Sequence, residues 1–503
     1  MPATLKGTMK HPYILAIDQG TTSTTCLVVD VTPGAGQAIV ARGRAELPQH
    51  FTRPGWVEHD LDEIWQSVLQ AVHSAIKDLP QGALYAVALT NQRETCALWH
   101  RTKGPLHNAI VWQDRRTQSA CAARQEAGHG PLLQRKTGLV FDPYFSASKL
   151  SWLLAHVPEA RSTAAQGDIC CGTIDSWLLF KLTGGKVHAT DTTNAARTAL
   201  FDIHQERWDD ELLGLWDPMA PAMLPEVHPS DTLFGHTLGV PGLPDGLPIA
   251  GIAGDQHASL VGQACIRPGT VKCTLGTGAF VMMNTGDVAP QSHHQLLTTI
   301  GWRVRSGRAY ALEGSLFVAG AMVQWLRDGL GIIKESHEVE ALARQVPDTG
   351  GVVVVPALAG LGAPHWRPEA RGLISGLTRG THAAHIARAA LEGIALQTGD
   401  LMSAIAQDAD MPVHRLRVDG GAAADDLLLQ MHADFLQLPV DRPASIETTA
   451  LGAAYLGALG LGLFKNFDEI EASWRCAHSF EPNLDDASRE ATWQRWHRAL
   501  SRT

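Results

Sequence analysis

A chain of 503 residues is too long for one compact core, and at about 100 to 250 residues per domain it should hold two large domains. Its 41 Lys+Arg against 51 Asp+Glu give a formal charge of -10, and its basic runs are pairs such as Arg115-Arg116, so nucleic acid is not an expected partner. Eight cysteines without C-x-x-C spacing exclude a zinc ribbon and a disulfide framework, and point to reduced thiols.

Met1 to Gly7 carry no apolar core of signal-peptide length, and a cytoplasmic protein is expected. Tyr13 to Ile17 then reads as a strand that breaks into Asp18-Gln19-Gly20-Thr21-Thr22-Ser23-Thr24 before a second strand, Thr25 to Val31. Leu61 to Ile76 reads as an amphipathic helix, and Tyr85 to Leu89 and Leu98 to His100 as strands. A Pro/Gly-rich stretch, Gly235 to Pro248, precedes the apolar strand that ends in Gly254-Asp255-Gln256. The domain boundary is expected shortly after it, giving domains 1-262 and 263-503.

In the second half, Val271 to Thr274, Phe280 to Asn284, Val352 to Val355 and Leu416 to Val418 read as strands. His385 to Ala406 and Asp425 to Leu436 read as helices, so both halves show an α/β pattern. Ala450 to Phe464 is uncharged but short and rich in glycine, which suits a buried helix and turn better than a membrane span of about 20 residues.

Three Gly-rich turns follow strands. The first, at Asp18 to Thr24, and the second, Thr274-Leu275-Gly276-Thr277-Gly278-Ala279-Phe280, offer backbone N–H groups and hydroxyls to phosphate oxygens and a hydrated metal ion. Either alone would pass for a solvated Gly-Thr hairpin, but the pair suggests one nucleotide site served by two halves. The third, Val418-Asp419-Gly420-Gly421, could let a ribose or flat ring approach the backbone, or be a plain strand-to-helix turn. Gly184-Gly185-Lys186 is followed by Val187 and lacks the upstream glycine, so a P-loop is excluded.

Other residues have two readings each. Asp255 is a general base for a substrate hydroxyl, or the N-cap of a helix starting near His257. Arg93-Glu94 is a clamp for vicinal hydroxyls, or a surface ion pair. Trp112, Tyr144 and Phe280 are apolar walls for a polyol, or ordinary core. Metal ligation by histidine is not expected, because His382, His385 and His293-His294 lack a carboxylate ligand pattern.

As a set these residues resemble the glycerol kinases of the FGGY carbohydrate kinase family. The likeness runs from Ile14 to about Phe464, through Asp18 to Ser23, Pro54 to Asp60, Thr90 to Thr95, Ile110 to Gln113, Asp142 to Ser146 and Gly254 to Gln256. Tyr144 to His156 and Gly372 to Glu392 are similar to the family's signature segments, with Ala155 a slight departure. The resemblance implies an α/β fold of two actin-like (ribonuclease-H-like) domains flanking a deep catalytic cleft, the first binding polyol and the second nucleotide. It implies ATP-dependent phosphorylation of glycerol with Mg²⁺, and a homo-oligomer, dimer or tetramer, without membrane insertion. Arg93, Glu94, Trp112, Tyr144, Asp255, Gln256 and Phe280 would then bind glycerol, with Asp255 as base. Thr21, Thr22, Ser23, Thr25, Thr277, Gly320, Gln324, Gly421 and Asp425 would stand at the nucleotide, and Asp18 would orient the metal ion. Two alternatives are a family kinase of another small polyol or ketose, such as erythritol or xylulose, and a catalytically weak actin-fold protein that binds nucleotide.

Three positions depart from the family pattern. Thr25 stands where an Arg is common, removing one positive contact to the nucleotide phosphates unless another side chain supplies it, with lower ATP affinity or turnover as the result. Asp425 replaces a common Asn near the adenine and can accept a hydrogen bond there but not donate one. Asp245-Gly246-Leu247 replaces a Gly-Thr-Arg run that resembles a fructose bisphosphate inhibitor site, so inhibition by that sugar phosphate is not expected.

Overall fold

A computed structural model of the protein describes residues 12–503 except 33–37, 159, 161–166 and 217–218, so the opening residues Met1 to Gly7 lie outside it. The chain divides into two compact units. The first holds residues 1–264, 299–308 and 448–474, and the second 265–298, 309–447 and 475–503. The chain therefore leaves and re-enters the first unit, and residues 448–474, in the second half of the sequence, group with the first.

A six-stranded sheet forms the first unit, in the order Leu233–His236, Pro248–Gly254, Leu84–Asn91, Tyr13–Gln19, Ser23–Asp30, Ala38–Glu46. The apolar runs of Tyr13–Gln19 and Ser23–Asp30 are buried on both faces. Leu15, Ile17, Cys26, Val28 and Ala45 pack toward the helix Leu61–Ile76, whose apolar positions recur at helical spacing. That helix starts where the sequence places it, because Asp60 accepts from the N–H groups of Asp62 and Glu63. Ile14, Ala16, Leu27, Val29, Ala86 and Ala88 face the helix Thr448–Gly460 instead. This helix is apolar all round because it is buried, and no helix among the described residues is long and apolar enough to cross a membrane.

Parallel pairing decides where the polar turns go. Tyr13–Gln19 runs antiparallel to Ser23–Asp30 but parallel to Leu84–Asn91, which in turn runs parallel to Pro248–Gly254. Asp18 faces Thr90 and Gly254 faces Asn91, so three carboxyl ends align at one edge of the sheet. The Pro/Gly-rich stretch is a loop inside this unit, closed by Gly239 N–H on Asp245 and by the Thr237 hydroxyl on the Pro244 carbonyl.

A seven-stranded sheet, ordered Leu297–Val304, Gly307–Leu316, Ala279–Gly286, Val271–Leu275, Leu416–Asp419, Val440–Pro443, Cys476–Phe480, repeats the scheme in the second unit, although residues 299–308 of its first two strands group with the first unit. Again a hairpin, Val271–Leu275 with Ala279–Gly286, is extended by a parallel strand, Leu416–Asp419. The helices Ala383–Ala409 and Asp426–Leu436 cover it, the second capped by Asp425. All eight cysteines are free, and all but Cys476 are buried.

The helices Asp255–Gly262 and Thr448–Gly460 cross at glycine. A Cβ on Gly262 would stand 1.9 Å from the Thr448 carbonyl oxygen, and one on Gly452 1.8 Å from that of Ala258. Since the obstacles are backbone, Gly452→Ala should destabilise the protein by about 1–3 kcal/mol, read as a lower urea midpoint.

Candidate active site

At the aligned strand ends of the first unit, four charged side chains form a row of alternating sign. Asp255 lies 3.2 Å from Arg93 Nε, Arg93 3.8 Å from Glu94, and Glu94 2.6 Å from Arg197 Nε. Arg93, Glu94 and Arg197 are buried, so the surface-pair reading of Arg93-Glu94 fails. Buried charges persist when each is paired and hydrogen-bonded, and here the row supplies the pairing. Asp255 is 29% exposed, which leaves one end of the row open to a ligand. Its N-cap reading fails too, because Gly254 is the cap of the helix Asp255–Gly262 and Asp255 is its first residue.

Local backbone holds the row. Glu94 sits at φ 60°, in the left-handed region that a non-glycine residue occupies only when its surroundings demand it. Ser146 Oγ donates to the Glu94 carbonyl at 3.0 Å, and Thr95 N–H to that of Arg93 at 2.7 Å. Gly254 leaves room for Arg93, whose Cγ would lie 2.7 Å from an added Cβ. Gln256 is buried beside Asp255.

Trp112 and Tyr144 meet edge to face, with ring centroids 5.7 Å apart. They are partly buried, and each has a polar anchor. Trp112 Nε1–H donates to Thr21 Oγ at 2.9 Å, tying the aromatic wall to the first Gly-Thr turn. Lys149, fully buried, donates to the carbonyls of Pro143 and Tyr144 and so holds the loop that presents the tyrosine. Lys149 and Arg197 were not singled out in the sequence. Lys149 lies inside the segment Tyr144 to His156 but has no reading of its own there, and the Glu94 partner of Arg197 is 103 positions away.

Burial pushes the Asp18 carboxyl up to about 7, and the charge of Asp255 adds to the effect. Two oxygen donors with this mutual repulsion suit a hard divalent cation. Among the described residues no group of three or more His, Cys, Asp or Glu could hold a metal ion. The residues present fit a cation that keeps most of its water better than one caged by protein side chains.

The second unit carries a cavity of about 510 Å³ lined by Thr277, Gly320, Gln324, Gly421 and Asp425 among others. Its floor is backbone packed on backbone. The Thr277 carbonyl accepts from Ala319 and Ala321 N–H, and Gly320 N–H donates to the Gly276 carbonyl. A Cβ on Gly320 would stand 2.6 Å from that oxygen, and Gly420, at φ 88°, passes equally close to Leu275. Gly421 has nothing within 4 Å and opens into the cavity. Asp425 accepts from Leu428 N–H through one oxygen, while burial, with Glu340 nearby, pushes its carboxyl up to about 6. Phe280 belongs to this unit and is partly buried, as Thr22, Ser23 and Thr25 belong to the first.

The Asp18 shift has a testable sign. A carboxyl at about 7 in the folded chain and about 3.9 unfolded holds a proton through that window only when folded, so stability falls as pH rises from 4 to 7. Asp18→Asn should therefore raise the melting temperature relative to the parent at pH 8 in the absence of nucleotide and magnesium. The difference should shrink toward pH 4.

Comparison with known proteins agrees with this architecture. The model of the FGGY family of carbohydrate kinases, N-terminal domain, matches residues 13–262, and the model of the C-terminal domain matches residues 271–461. The glycerol kinase of Aromatoleum aromaticum is 53% identical over 97% of this chain and 98% of its own, and that of Bordetella parapertussis 52% over 97% of each. The structure of Plasmodium falciparum glycerol kinase with ADP superposes at a TM-score of 0.91, with 35% identity and 98% of both chains covered. Xylulose kinase from Lactobacillus acidophilus, 24% identical with 98% of both chains covered, shares the fold at 0.86. The two-domain, actin-like α/β fold is thus common to this chain and these kinases, and the chain belongs to the FGGY family of carbohydrate kinases.

Proposed function

We propose that the protein transfers the γ-phosphoryl group of ATP to glycerol, giving sn-glycerol 3-phosphate and ADP. The observation that carries this reading is the Asp255 carboxylate, oriented by Arg93 at 3.2 Å yet partly open, at the end of a buried row of paired charges. Glycerol kinases similar over nearly the whole chain support glycerol as acceptor.

In this reading Arg93 donates to, and Glu94 accepts from, neighbouring hydroxyls, with Gln256 completing the polar set. Trp112 and Tyr144 shield the C–H edges, and Phe280 is the wall contributed by the second unit. Asp255 accepts the proton of the attacking hydroxyl as the bond to phosphorus forms. Phosphoryl transfer passes through a loose transition state, so alignment and charge neutralisation do most of the catalysis. Asp18 would hold a bound Mg²⁺, which would supply charge neutralisation at the phosphates. Thr21, Thr22 and Ser23 from one turn and Thr277, Gly320, Gln324 and Gly421 from the cavity are the proposed nucleotide contacts. Residues 1–262 then belong to the polyol-binding domain and 263–503, apart from the segments 299–308 and 448–474 that group with the first unit, to the nucleotide-binding domain. We place the protein in the cytoplasm, a compartment that suits its unpaired thiols, and, by likeness to the family, as a dimer or tetramer.

Two experiments test this. ADP release over glycerol, dihydroxyacetone, erythritol and xylulose should be fastest with glycerol, and Asp255→Asn should lower kcat by about 10²–10⁴. No glycerol-dependent ADP release, or full activity in the variant, would overturn the assignment. Asp425 near the adenine accepts from its exocyclic amine and repels the guanine carbonyl, so ATP should be strongly preferred over GTP. Asp425→Asn keeps the helix cap but can donate, and the ATP:GTP ratio of kcat/KM should fall about tenfold.

A further inference from the structure

The residue that faces Thr25 across the sheet is Arg44. Asp18 pairs with Thr25, and Thr25 with Arg44, in consecutive antiparallel registers. Directly opposed residues share a face, so Asp18, Thr25 and Arg44 project from one side of three adjacent strands. The alternate residues confirm which side. Thr24 meets Ser67 at 2.7 Å, and a Cβ on Gly43 would stand 2.0 Å from the Ala71 carbonyl, so those positions face the helix Leu61–Ile76. The row with Asp18 points the other way, toward the face on which Asp255 begins its helix.

Arg44 is available for a ligand. It is exposed on the edge strand of the sheet and enters no ion pair among the described residues. Glu46, two positions along on the same face, is the nearest acid on its own strand. The end of that strand is tied to the first Gly-Thr turn, because Leu47 N–H donates to the Thr22 carbonyl at 2.9 Å. Two strand spacings put the Arg44 backbone about 10 Å from Asp18, and the side chain between them is the short Thr25.

Arg93, the cation beside Asp255, is already committed to Asp255 and Glu94. Asp18 and Asp255 repel one another, and position 25 supplies no charge. A polyphosphate arriving at the turn needs a cation that the turn does not carry.

We propose that Arg44 supplies it, reaching past Thr25 to bind the phosphate oxygens of the nucleotide from the neighbouring strand. Arg44 is then a specificity and positioning residue for a polyanionic ligand, with the cation shifted by one strand. This rests on ATP being the phosphoryl donor, as proposed above. Calorimetry of ATP binding without polyol tests it independently of turnover. Arg44→Gln should weaken ATP binding about tenfold and flatten its salt dependence, with the KM for glycerol unchanged. Thr25→Arg alone should change affinity less than about threefold, because a second guanidinium beside the first is repelled. Placed in the Arg44→Gln background, Thr25→Arg should restore binding. An ATP affinity unaltered by Arg44→Gln, or a loss that Thr25→Arg does not restore, would overturn the proposal. If the parent releases no ADP with glycerol while Arg44→Gln still weakens ATP binding, the reaction assigned above fails and the role of Arg44 stands.

Discussion

The row Asp255, Arg93, Glu94, Arg197 is the constraint around which the first unit is arranged. An isolated charge in a protein interior is unaffordable, but alternating charges within 2.6 to 3.8 Å cancel one another while keeping their orientation. Two parallel strands, Leu84–Asn91 and Pro248–Gly254, must end in register to assemble the row, with Arg197 brought in from beyond the helix Thr192–Ala195, which is why the sheet order matters more to the site than any single motif. Gly254 must lack a side chain for Arg93 to lie where it does, and Glu94 must accept a left-handed backbone. The rigidity of the row also sets what it can recognise: a small molecule that exchanges donors and acceptors at fixed spacing.

Much of this was legible in the sequence, for identifiable reasons. The helix Leu61–Ile76 has the predicted limits because a capping Asp and a clean apolar period agree. The turn at Asp18 and the strand into Asp255 are visible because glycine and hydroxyl residues interrupt apolar runs. The two-way readings of Asp255 and of Arg93-Glu94 needed coordinates, since capping and burial are settled by neighbours remote in sequence. Arg197 carries no signal in the sequence, and Lys149 only its place inside the segment Tyr144 to His156. Each is a lone basic residue whose value lies in a partner carbonyl or carboxylate on another element. The hairpin Leu297–Val304 with Gly307–Leu316 and the edge strand Ala38–Glu46 were also missed. The edge strand carries mixed composition because one of its faces is exposed, and the hairpin strands because polar residues such as Thr298, Thr299 and Glu313 are buried among the apolar ones.

The second unit solves a different problem with the same topology. Its strand ends contribute glycine backbone beside the buried Asp419, with Gly320 and Gly420 packed so closely that no side chain fits. The result is a cavity with backbone N–H and carbonyl groups in its floor, and one of its acids, Asp425, doubles as a helix cap. One topology thus yields a row of paired charges in one unit and, in the other, a cavity where glycine backbone meets the acids Glu335, Glu340 and Asp425.

The re-entry of residues 448–474 into the first unit has a consequence for synthesis. The helix Thr448–Gly460 fills the sheet face formed by Ile14, Ala16, Leu27 and Val29, yet it emerges from the ribosome after nearly all of the second unit. Until then an apolar sheet face made early in translation has no covering, and the nascent chain must keep it from aggregating. The unit that begins the chain is therefore among the last parts of the protein to finish folding.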